Sequence, residues 1–223
     1  MALQAIATPK TNPTTCDALL VGLHGWGANA ADLAALGEFL TLPHCHMVFP
    51  DAPFPHPQSP GGRMWYGFPN SYDFRQAHDF EQQSDLCTSR QALNAWLQQI
   101  TAETGIPLER TIVAGFSQGG AMALDVGLQL PVAAVLVLSG YLHGAIFSHH
   151  PPSPVLLVHG RQDPVVPLAC AHQTRQVLQA QQVPVTYHEQ DMGHEIQPVV
   201  LQHIERFYQA WRQAQAVGNK AGE

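Results

Sequence analysis

The apolar residues of this chain are grouped in short runs in which consecutive positions, rather than alternate ones, are hydrophobic. A run of that kind is typical of a β-strand that is covered on both faces, as in a parallel sheet. Residues 18–24, Ala-Leu-Leu-Val-Gly-Leu-His, are the clearest example. The same pattern predicts strands at 47–49, around Ile112 and Val113, at 132–138, 155–158 and 185–188, and a short edge strand within 2–8.

Between these runs, apolar residues recur at the three- to four-residue spacing of an amphipathic helix. This spacing predicts helices from Asn29 or Asp32 to about Leu40, over Ala77–Thr104, after Ser117, over Leu168–Gln181 and from Pro198 onward. Strands that alternate with helices imply right-handed crossovers. The sequence therefore predicts an α/β fold, a mostly parallel, doubly wound sheet with helices on both faces and active groups at the carboxyl ends of its strands.

Residues 50–72 interrupt this alternation with a stretch rich in proline, glycine and aromatic residues. Such a composition excludes a helix and predicts a long structured loop, which we expect near the active site. Two interpretations are open: a lid or binding loop that offers Met64-Trp65-Tyr66 to a ligand, or a proline-stiffened loop that its aromatic residues anchor. The sequence has no linker or repeat, so residues 1–223 are expected to form a single domain with a frayed tail at 218–223.

Composition narrows the classes of function. With 223 residues, 45% of them hydrophobic and 12% charged, the chain is large enough to bury a core and is predicted to fold compactly. Its formal net charge of −7, without a local Lys/Arg cluster, argues against nucleic acid and against a basic membrane-binding patch. No secretory signal or bilayer-spanning run is evident, and the four scattered cysteines lack metal or redox spacing. Reduced thiols, no stable membrane insertion and a cytoplasmic location are therefore expected.

The segment Gly115-Phe116-Ser117-Gln118-Gly119 stands between a predicted strand and a predicted helix. A strand that turns at once into a helix needs small residues on both sides of the turn, because the middle residue is held in strained geometry. Such a turn exposes the Ser117 hydroxyl beside the free N–H groups of the next helix, where developing negative charge is stabilised. The pattern therefore indicates a nucleophilic serine, although a glycine-rich turn before a helix also occurs without chemistry.

A serine becomes nucleophilic when a base takes its proton and a carboxylate orients the base. Asp163 follows the strand at 155–158 in a turn bounded by glycine and proline, and His194 follows the strand at 185–188. An Asp before a proline also starts ordinary turns, and the chain has 13 histidines. However, the order Ser, Asp, His at successive strand ends is the one that this type of fold requires.

An acyl-transfer site also needs two N–H groups that stabilise the oxyanion. The residue after the nucleophile, Gln118, supplies the first backbone N–H group. The glycine-rich turn that follows the strand at 18–24 places Trp26 where the second donor is expected.

At these residues the chain resembles the carboxylesterase, lysophospholipase and acyl-protein thioesterase family of small α/β-hydrolases. The resemblance extends from about residue 18 to 211 and rests on Leu23-His24-Gly25-Trp26-Gly27, Pro50-x-Ala52-Pro53, Trp65-Tyr66, the stretch from Gly115 to Ala123, His159-Gly160-x-x-Asp163-x-Val165-Val166-Pro167 and Gly193-His194. It implies the α/β-hydrolase fold. It also implies site roles: Ser117, Asp163 and His194 as catalytic triad, Trp26 and Gln118 as oxyanion donors, and Trp65, Leu142 and Val166 as the acyl-side wall.

Together, the residues and the resemblance predict a serine hydrolase that cleaves carboxylic esters through an acyl-enzyme, without a cofactor. Short- to medium-chain acyl esters are the expected substrates. Two alternatives stay open: a thioesterase or lysophospholipase that acts on long acyl groups, and a non-catalytic binding module of the same fold. His44 and His46 alternate on a predicted strand, but no third metal ligand is evident, so no metal is expected. The expected partner is a small-molecule or lipid-like acyl ester, and a homodimer is left open.

Overall fold

The computed structural model describes residues 3–8, 13–68, 72–74, 80 and 83–220. Its strands are β1 (Ala5–Ala7), β2 (Ala18–Leu23), β3 (Cys45–Pro50), β4 (Phe54–Pro55), β5 (Arg63–Met64), β6 (Thr111–Phe116), β7 (Ala134–Leu138), β8 (Val155–Gly160) and β9 (Val185–Gln190). Seven of them form the main sheet in the order β1-β3-β2-β6-β7-β8-β9. All neighbouring pairs in it are parallel except β1 with β3. The predicted α/β class is confirmed, as is the edge strand within residues 2–8.

Helices cover both faces of this sheet. They are α1 (Ala30–Gly37), α2 (Ser84–Thr104), α3 (Gln118–Gly127), α4 (Leu168–Ala180) and α5 (Pro198–Lys220). One apolar cluster joins the sheet to α2, α3 and α4, and a second joins it to α1 and α5. No helix in the described ranges combines the length and the apolarity needed to cross a membrane.

Strand β2 shows why the apolar runs are continuous. Its residues Leu19, Val21 and Leu23 pack in the cluster that contains α2, whereas Ala18 and Leu20 pack in the cluster that contains α5. Burying a large aliphatic side chain contributes roughly 1.5–3 kcal/mol, so a strand with two covered faces gains from apolar residues at every position. The parallel sheet follows from that pattern.

Local signals account for two of the helix ends. The Asn29 side chain accepts hydrogen bonds from the N–H groups of Ala31 and Asp32, and the Asp32 carboxylate accepts one from the Asn29 N–H, which completes a capping box. Helix α2 ends at Thr104 and is capped by Gly105, whose φ of 71° suits glycine. Its start differs from the prediction: α2 begins at Ser84, and Phe80 lies outside it. Residues 77–79 and 81–82 of the predicted helix lie outside the described residues.

The long loop at 50–72 contains the short antiparallel pair β4 and β5. It is otherwise irregular over the described residues, because its prolines cannot donate to a ladder. Trp65 and Tyr66 are fully buried in the core beneath it, as in the anchored-loop interpretation. The predicted tail at 218–223 is described only to Lys220, where α5 ends.

The predicted alternation of His44 and His46 on one strand is wrong. His44 has a φ of 60° and precedes β3 in a turn, while His46 is buried within β3. The two imidazoles therefore do not share a strand face. The four cysteines are free thiols.

Candidate active site

Ser117 occupies a strained turn between β6 and α3. Its φ of 54° and ψ of −119° lie in a region that costs about 1–3 kcal/mol for a residue with a side chain. A Cβ atom at Gly115 would overlap the backbone of Gly119, and a Cβ at Gly119 would overlap the carbonyl group of Leu23. Both glycines are therefore required for the turn to close against the end of β2.

Ser117, His194 and Asp163 meet at the carboxyl ends of β6, β9 and β8. The distance from His194 Nε2 to Ser117 Oγ is 2.9 Å, and that from His194 Nδ1 to Asp163 Oδ2 is 2.7 Å. The carboxylate accepts a hydrogen bond from Nδ1–H, so the proton of the imidazole is on Nδ1. Nε2 therefore carries a lone pair, and the serine hydroxyl donates to it. The sequence prediction that these three residues lie together agrees with this geometry.

The turn after β8 holds the Asp163 carboxylate in place. Its Oδ1 atom accepts hydrogen bonds from the N–H groups of Val165 and Val166, at 2.9 and 2.8 Å, which leaves Oδ2 for His194. Burial raises the pKa of Asp163, but the hydrogen bonds from His194 and Val166 outweigh it, and the pKa is lowered overall. Asp163 is therefore ionised at neutral pH.

His159 supports the same turn, a role that the sequence prediction missed. Its Nε2–H donates to the Val166 carbonyl oxygen at 2.8 Å, and the imidazole is fully buried. Burial lowers its pKa, so it is neutral. Its other ring nitrogen, Nδ1, has no hydrogen-bond partner among the described residues. A histidine within the family motif gave no separate signal for this role.

The loop that carries His194 crosses directly over the end of β8. A Cβ atom at Gly160 would overlap the carbonyl oxygens of Met192 and Gly193. The Gln162 N–H also donates to the Met192 carbonyl at 3.1 Å. This close crossing explains why His194 reaches the Asp163 carboxylate.

The two predicted oxyanion donors flank the serine. Gly25, next to Trp26, lies so close that its Cβ position would be 3.4 Å from the Ser117 Cβ. Within the part of the chain that the structure describes, no group accepts a hydrogen bond from the backbone N–H of Trp26 or Gln118. Gln118 is also the first residue of α3, where the helix dipole favours negative charge.

His24 anchors the loop that contains Trp26. Its Nε2 accepts a hydrogen bond from the Ala52 N–H at 3.0 Å, so the proton is on Nδ1, which donates to the Gly25 carbonyl at 2.8 Å. The His24 carbonyl in turn accepts from the Trp65 indole N–H at 3.0 Å. Burial lowers the pKa of His24 and keeps it neutral. This histidine therefore fastens the 50–72 loop to the end of β2.

The Gln118 side chain has a role that the sequence prediction did not include. Its Oε1 accepts from the Trp65 N–H at 2.9 Å, and its Nε2 donates to the Tyr66 carbonyl at 2.7 Å. Both polar atoms of the buried amide are thus used on the loop. Its side chain is therefore bonded to the loop, whereas its backbone N–H has no acceptor among the described residues.

Two of the three predicted acyl-side residues are not exposed to a ligand. Trp65 and Val166 have no accessible surface, because the Trp65 indole bonds to His24 and Val166 packs within the Asp163 turn. The resemblance to the family identifies these two positions in the chain, but it does not show whether their side chains are buried. Leu142 is partly exposed and lines a hollow of about 440 Å³.

We call this hollow the aromatic cleft, since its walls include Tyr72, Phe74, Phe80, Tyr141, Leu142 and Val177. A second hollow, of about 430 Å³, shares Tyr72 and Phe74 with it and is lined by Pro164 and Val165, which directly follow Asp163. The aromatic cleft therefore shares two wall residues with a hollow that the segment directly after Asp163 lines. Among the residues described, no three His, Cys, Asp or Glu side chains are grouped as a metal site would need.

Known proteins are similar to this chain in sequence and in fold. Residues 2–212 match the family described as Phospholipase/Carboxylesterase. The chain is 28% identical over 176 residues to acyl-protein thioesterase 1 of Saccharomyces cerevisiae. The aligned region covers 72% of this chain and 76% of that protein. It is 29% identical over 206 residues to lysophospholipase-like protein 1 of Mus musculus, which is 84% of each chain.

A solved structure, that of esterase PE8, superposes with a TM-score of 0.84 at 30% identity. The match covers 94% of this chain and 99% of that one. The correspondence thus extends over nearly the whole of both chains.

Proposed function

Because the chain belongs to the phospholipase/carboxylesterase family of α/β-hydrolases and is an ester hydrolase, we propose that it cleaves carboxylic esters through an acyl-enzyme on Ser117. His194 is the general base and acid, and Asp163 orients it. The observation that carries this proposal is the continuous hydrogen-bond chain from Ser117 Oγ through His194 to Asp163, at 2.9 and 2.7 Å.

In the first half-reaction, His194 Nε2 takes the hydroxyl proton while Ser117 Oγ attacks the carbonyl carbon of the ester. The carbonyl oxygen becomes an oxyanion that the N–H groups of Trp26 and Gln118 stabilise. When the bond to the leaving group breaks, the protonated His194 returns the proton to the leaving oxygen. The alcohol departs and the acyl group remains on Ser117.

In the second half-reaction, His194 removes a proton from water, and the hydroxide oxygen attacks the acyl-enzyme. Collapse of this second intermediate releases the acid and gives the proton back to Ser117. The lowered pKa of Asp163 supports the cycle, because an ionised carboxylate stabilises the imidazolium in both halves.

We expect acyl esters of short to medium length as substrates, with the acyl chain in the aromatic cleft. Its volume of about 440 Å³ and the aromatic and aliphatic side chains in its wall support that assignment. The alternative is a long-chain acyl thioester or lysophospholipid, which the names of the yeast and mouse relatives favour. A cytoplasmic location and one domain over 1–223 are predictions from the sequence, and a homodimer is left open.

The experiment that tests the nucleophile is labelling with a fluorophosphonate probe. Wild type should be labelled and Ser117→Ala should not. Ser139→Ala is a matched control, since Ser139 is also a buried serine at a strand end with positive φ, but its hydroxyl has no partner among the described residues. If folded wild type is not labelled, the esterase proposal fails and the binding-module alternative gains.

A series of acyl esters and thioesters from two to sixteen carbons, on the order of the range of natural acyl groups, separates the two substrate classes. The kcat/KM of a short-chain esterase should pass through a maximum at low chain length, because a pocket gains only about 1–3 kcal/mol per accommodated methylene and then rejects longer chains. A steady rise to the longest thioester would favour the alternative.

A further inference from the structure

A second Asp–His pair lies inside the molecule, away from Ser117. His143 Nδ1 is 2.7 Å from Asp125 Oδ2, and His143 Nε2 is 2.7 Å from the Tyr66 hydroxyl. Arg90 donates to the same Asp125 oxygen at 2.6 Å, and the hydroxyls of Tyr66 and Tyr141 are 2.5 Å apart. We call these five residues the buried array. They join α2, α3, the segment after β7 and the 50–72 loop.

The proton positions in the buried array follow from its ionised end. Burial raises the pKa of Asp125, but the bonds from His143 and Arg90 outweigh it and lower the pKa overall. Asp125 is thus a carboxylate that accepts from His143 Nδ1–H. Burial lowers the pKa of His143, so Nε2 carries a lone pair and accepts from the Tyr66 hydroxyl. The Tyr141 hydroxyl then donates to the Tyr66 oxygen, and every bond has a defined direction.

Tyr66 connects the buried array to the proposed oxyanion site. The Gln118 side chain bonds to the Trp65 N–H and to the Tyr66 carbonyl, on the two sides of the Trp65–Tyr66 peptide. The Tyr66 side chain extends from the same residue to His143. Because Gln118 follows Ser117 and its own N–H is the proposed oxyanion donor, the placement of Tyr66 affects the placement of that donor.

We propose that His143, oriented by Asp125, is a positioning residue that holds Tyr66 and, through it, the Gln118 backbone in the geometry needed at the oxyanion. This inference rests on the proposed function. Packing alone does not require these groups, since a phenylalanine at 66 would fill the ring position equally well. Tyr141 and His143 also line the aromatic cleft, but Tyr66 does not, and its side chain is fully buried. The effect of Tyr66 is therefore exerted through the loop.

Tyr66→Phe is the direct test. It removes one hydroxyl and keeps the aromatic ring and the backbone carbonyl that accepts a hydrogen bond from Gln118. Because small displacements of catalytic groups cost as much as about 10²-fold, we expect kcat to fall about 10-fold with little change in KM. An oxyanion donor acts in the transition state, which is why the loss appears in kcat.

Tyr208→Phe is the matched control. It also removes a buried tyrosine hydroxyl, which donates to the Pro43 carbonyl at 2.7 Å, but on α5 and remote from the array. Both variants should lower Tm, and only Tyr66→Phe should lower kcat per folded enzyme. Equal kcat values for the two variants, at wild-type level, would overturn the proposal.

Two substitutions of His143 separate its two bonds. The amide of His143→Gln reaches the position of Nε2 and retains a partner for Tyr66, whereas that of His143→Asn reaches the position of Nδ1 and retains only the contact to Asp125. We expect His143→Gln to keep a kcat several-fold above that of His143→Asn. The opposite order would mean that the Asp125 contact, and not Tyr66, carries the effect. If Tyr66→Phe does not fold, this pair decides the question alone.

Ser117→Ala, assayed in parallel, separates this inference from the proposed function. If Ser117→Ala is inactive while the Tyr66 and His143 variants match wild type, the positioning role is wrong and the serine mechanism stands. If Ser117→Ala is active, the mechanism itself is wrong.

Discussion

The Asp163–His194 pair and the Asp125–His143 pair have similar hydrogen-bond distances and different surroundings. Both have a carboxylate oxygen 2.7 Å from Nδ1 and a hydroxyl within 2.9 Å of Nε2. In the first pair the hydroxyl belongs to Ser117 on a strained turn at a helix N-terminus. In the second it belongs to Tyr66, which is fully buried and whose pKa burial raises well above the ordinary value.

Access and charge separate these two pairs further. The His194 side chain is 15% exposed and that of His143 only 2%, while Arg90 already neutralises Asp125. An Asp–His–hydroxyl chain therefore acts on substrate only where the hydroxyl can be reached and where N–H groups are available for the resulting charge. Without those two conditions, the same hydrogen bonds orient the groups around them.

The largest expected difference between the pairs is at their terminal hydroxyls. Ser117→Ala removes the nucleophile and should lower kcat for a chromogenic ester by roughly 10⁴–10⁶-fold, since loss of a catalytic serine removes the covalent route. Ser139→Ala, assayed alongside, should stay near wild type. Residual activity of Ser117→Ala within tenfold of wild type would place the nucleophile elsewhere.

The next difference is at the two carboxylates. Asp163→Asn should lower kcat by about 10⁴-fold, because an amide no longer holds His194 in the tautomer that accepts the serine proton. Asp125→Asn should lower it by only about 10-fold, as its effect passes through Tyr66 and the loop. Steady-state assays of both variants test this, and similar losses would remove the distinction between the pairs.

Gln118→Ala tests the link between the pairs. Its backbone N–H is retained, so the loss should be smaller than that of Ser117→Ala. Losing the clamp on Trp65 and Tyr66 should still lower kcat by roughly 10–100-fold, below the cost of removing an oxyanion donor outright. Gln99→Ala, at an exposed position of α2, is the control. A loss equal to that of Ser117→Ala would contradict a backbone role for Gln118.

The smallest expected effect concerns stability, where the two pairs should behave alike. The pKa values of Asp163 and Asp125 are lowered in the folded state, so their stabilising contribution is present above the unfolded pKa of about 3.9 and is lost as pH falls through the folded pKa. The Tm difference between wild type and each Asn variant should therefore narrow on acidification from about pH 6 to below about pH 3.9. A pH-independent difference for one pair would show that its carboxylate contributes no such linkage.

The sequence was sufficient to predict the parallel sheet and to predict that Ser117, Asp163 and His194 lie together. Continuous apolar runs give buried parallel strands, and parallel strands bring their carboxyl ends to one edge. Residues that follow different strands then meet without any local contact in the chain. The family motifs at Gly115 and Gly160 add the close approaches that only glycine permits.

The sequence contains no comparable signal for the Asp125–His143 pair. Asp125 lies within α3, and His143 lies in an irregular segment after β7, where it belongs to none of the motifs that identified the triad. Their partner Tyr66 lies in the 50–72 loop, whose path no periodicity describes. For the same reason the burial of Trp65 and Val166 was missed, because a motif specifies the residue types and not the side-chain environment.

The exposed indole at the proposed oxyanion turn makes this site optically accessible. Trp26 is 43% exposed and contacts His56 and Phe68 edge to face, whereas the other three tryptophans, Trp65, Trp96 and Trp211, are at most 8% exposed. Red-shifted, quencher-sensitive fluorescence should therefore come from Trp26 alone, and the other three should emit at shorter wavelength. Stopped-flow emission then gives a label-free record of ligand arrival at one side of the site.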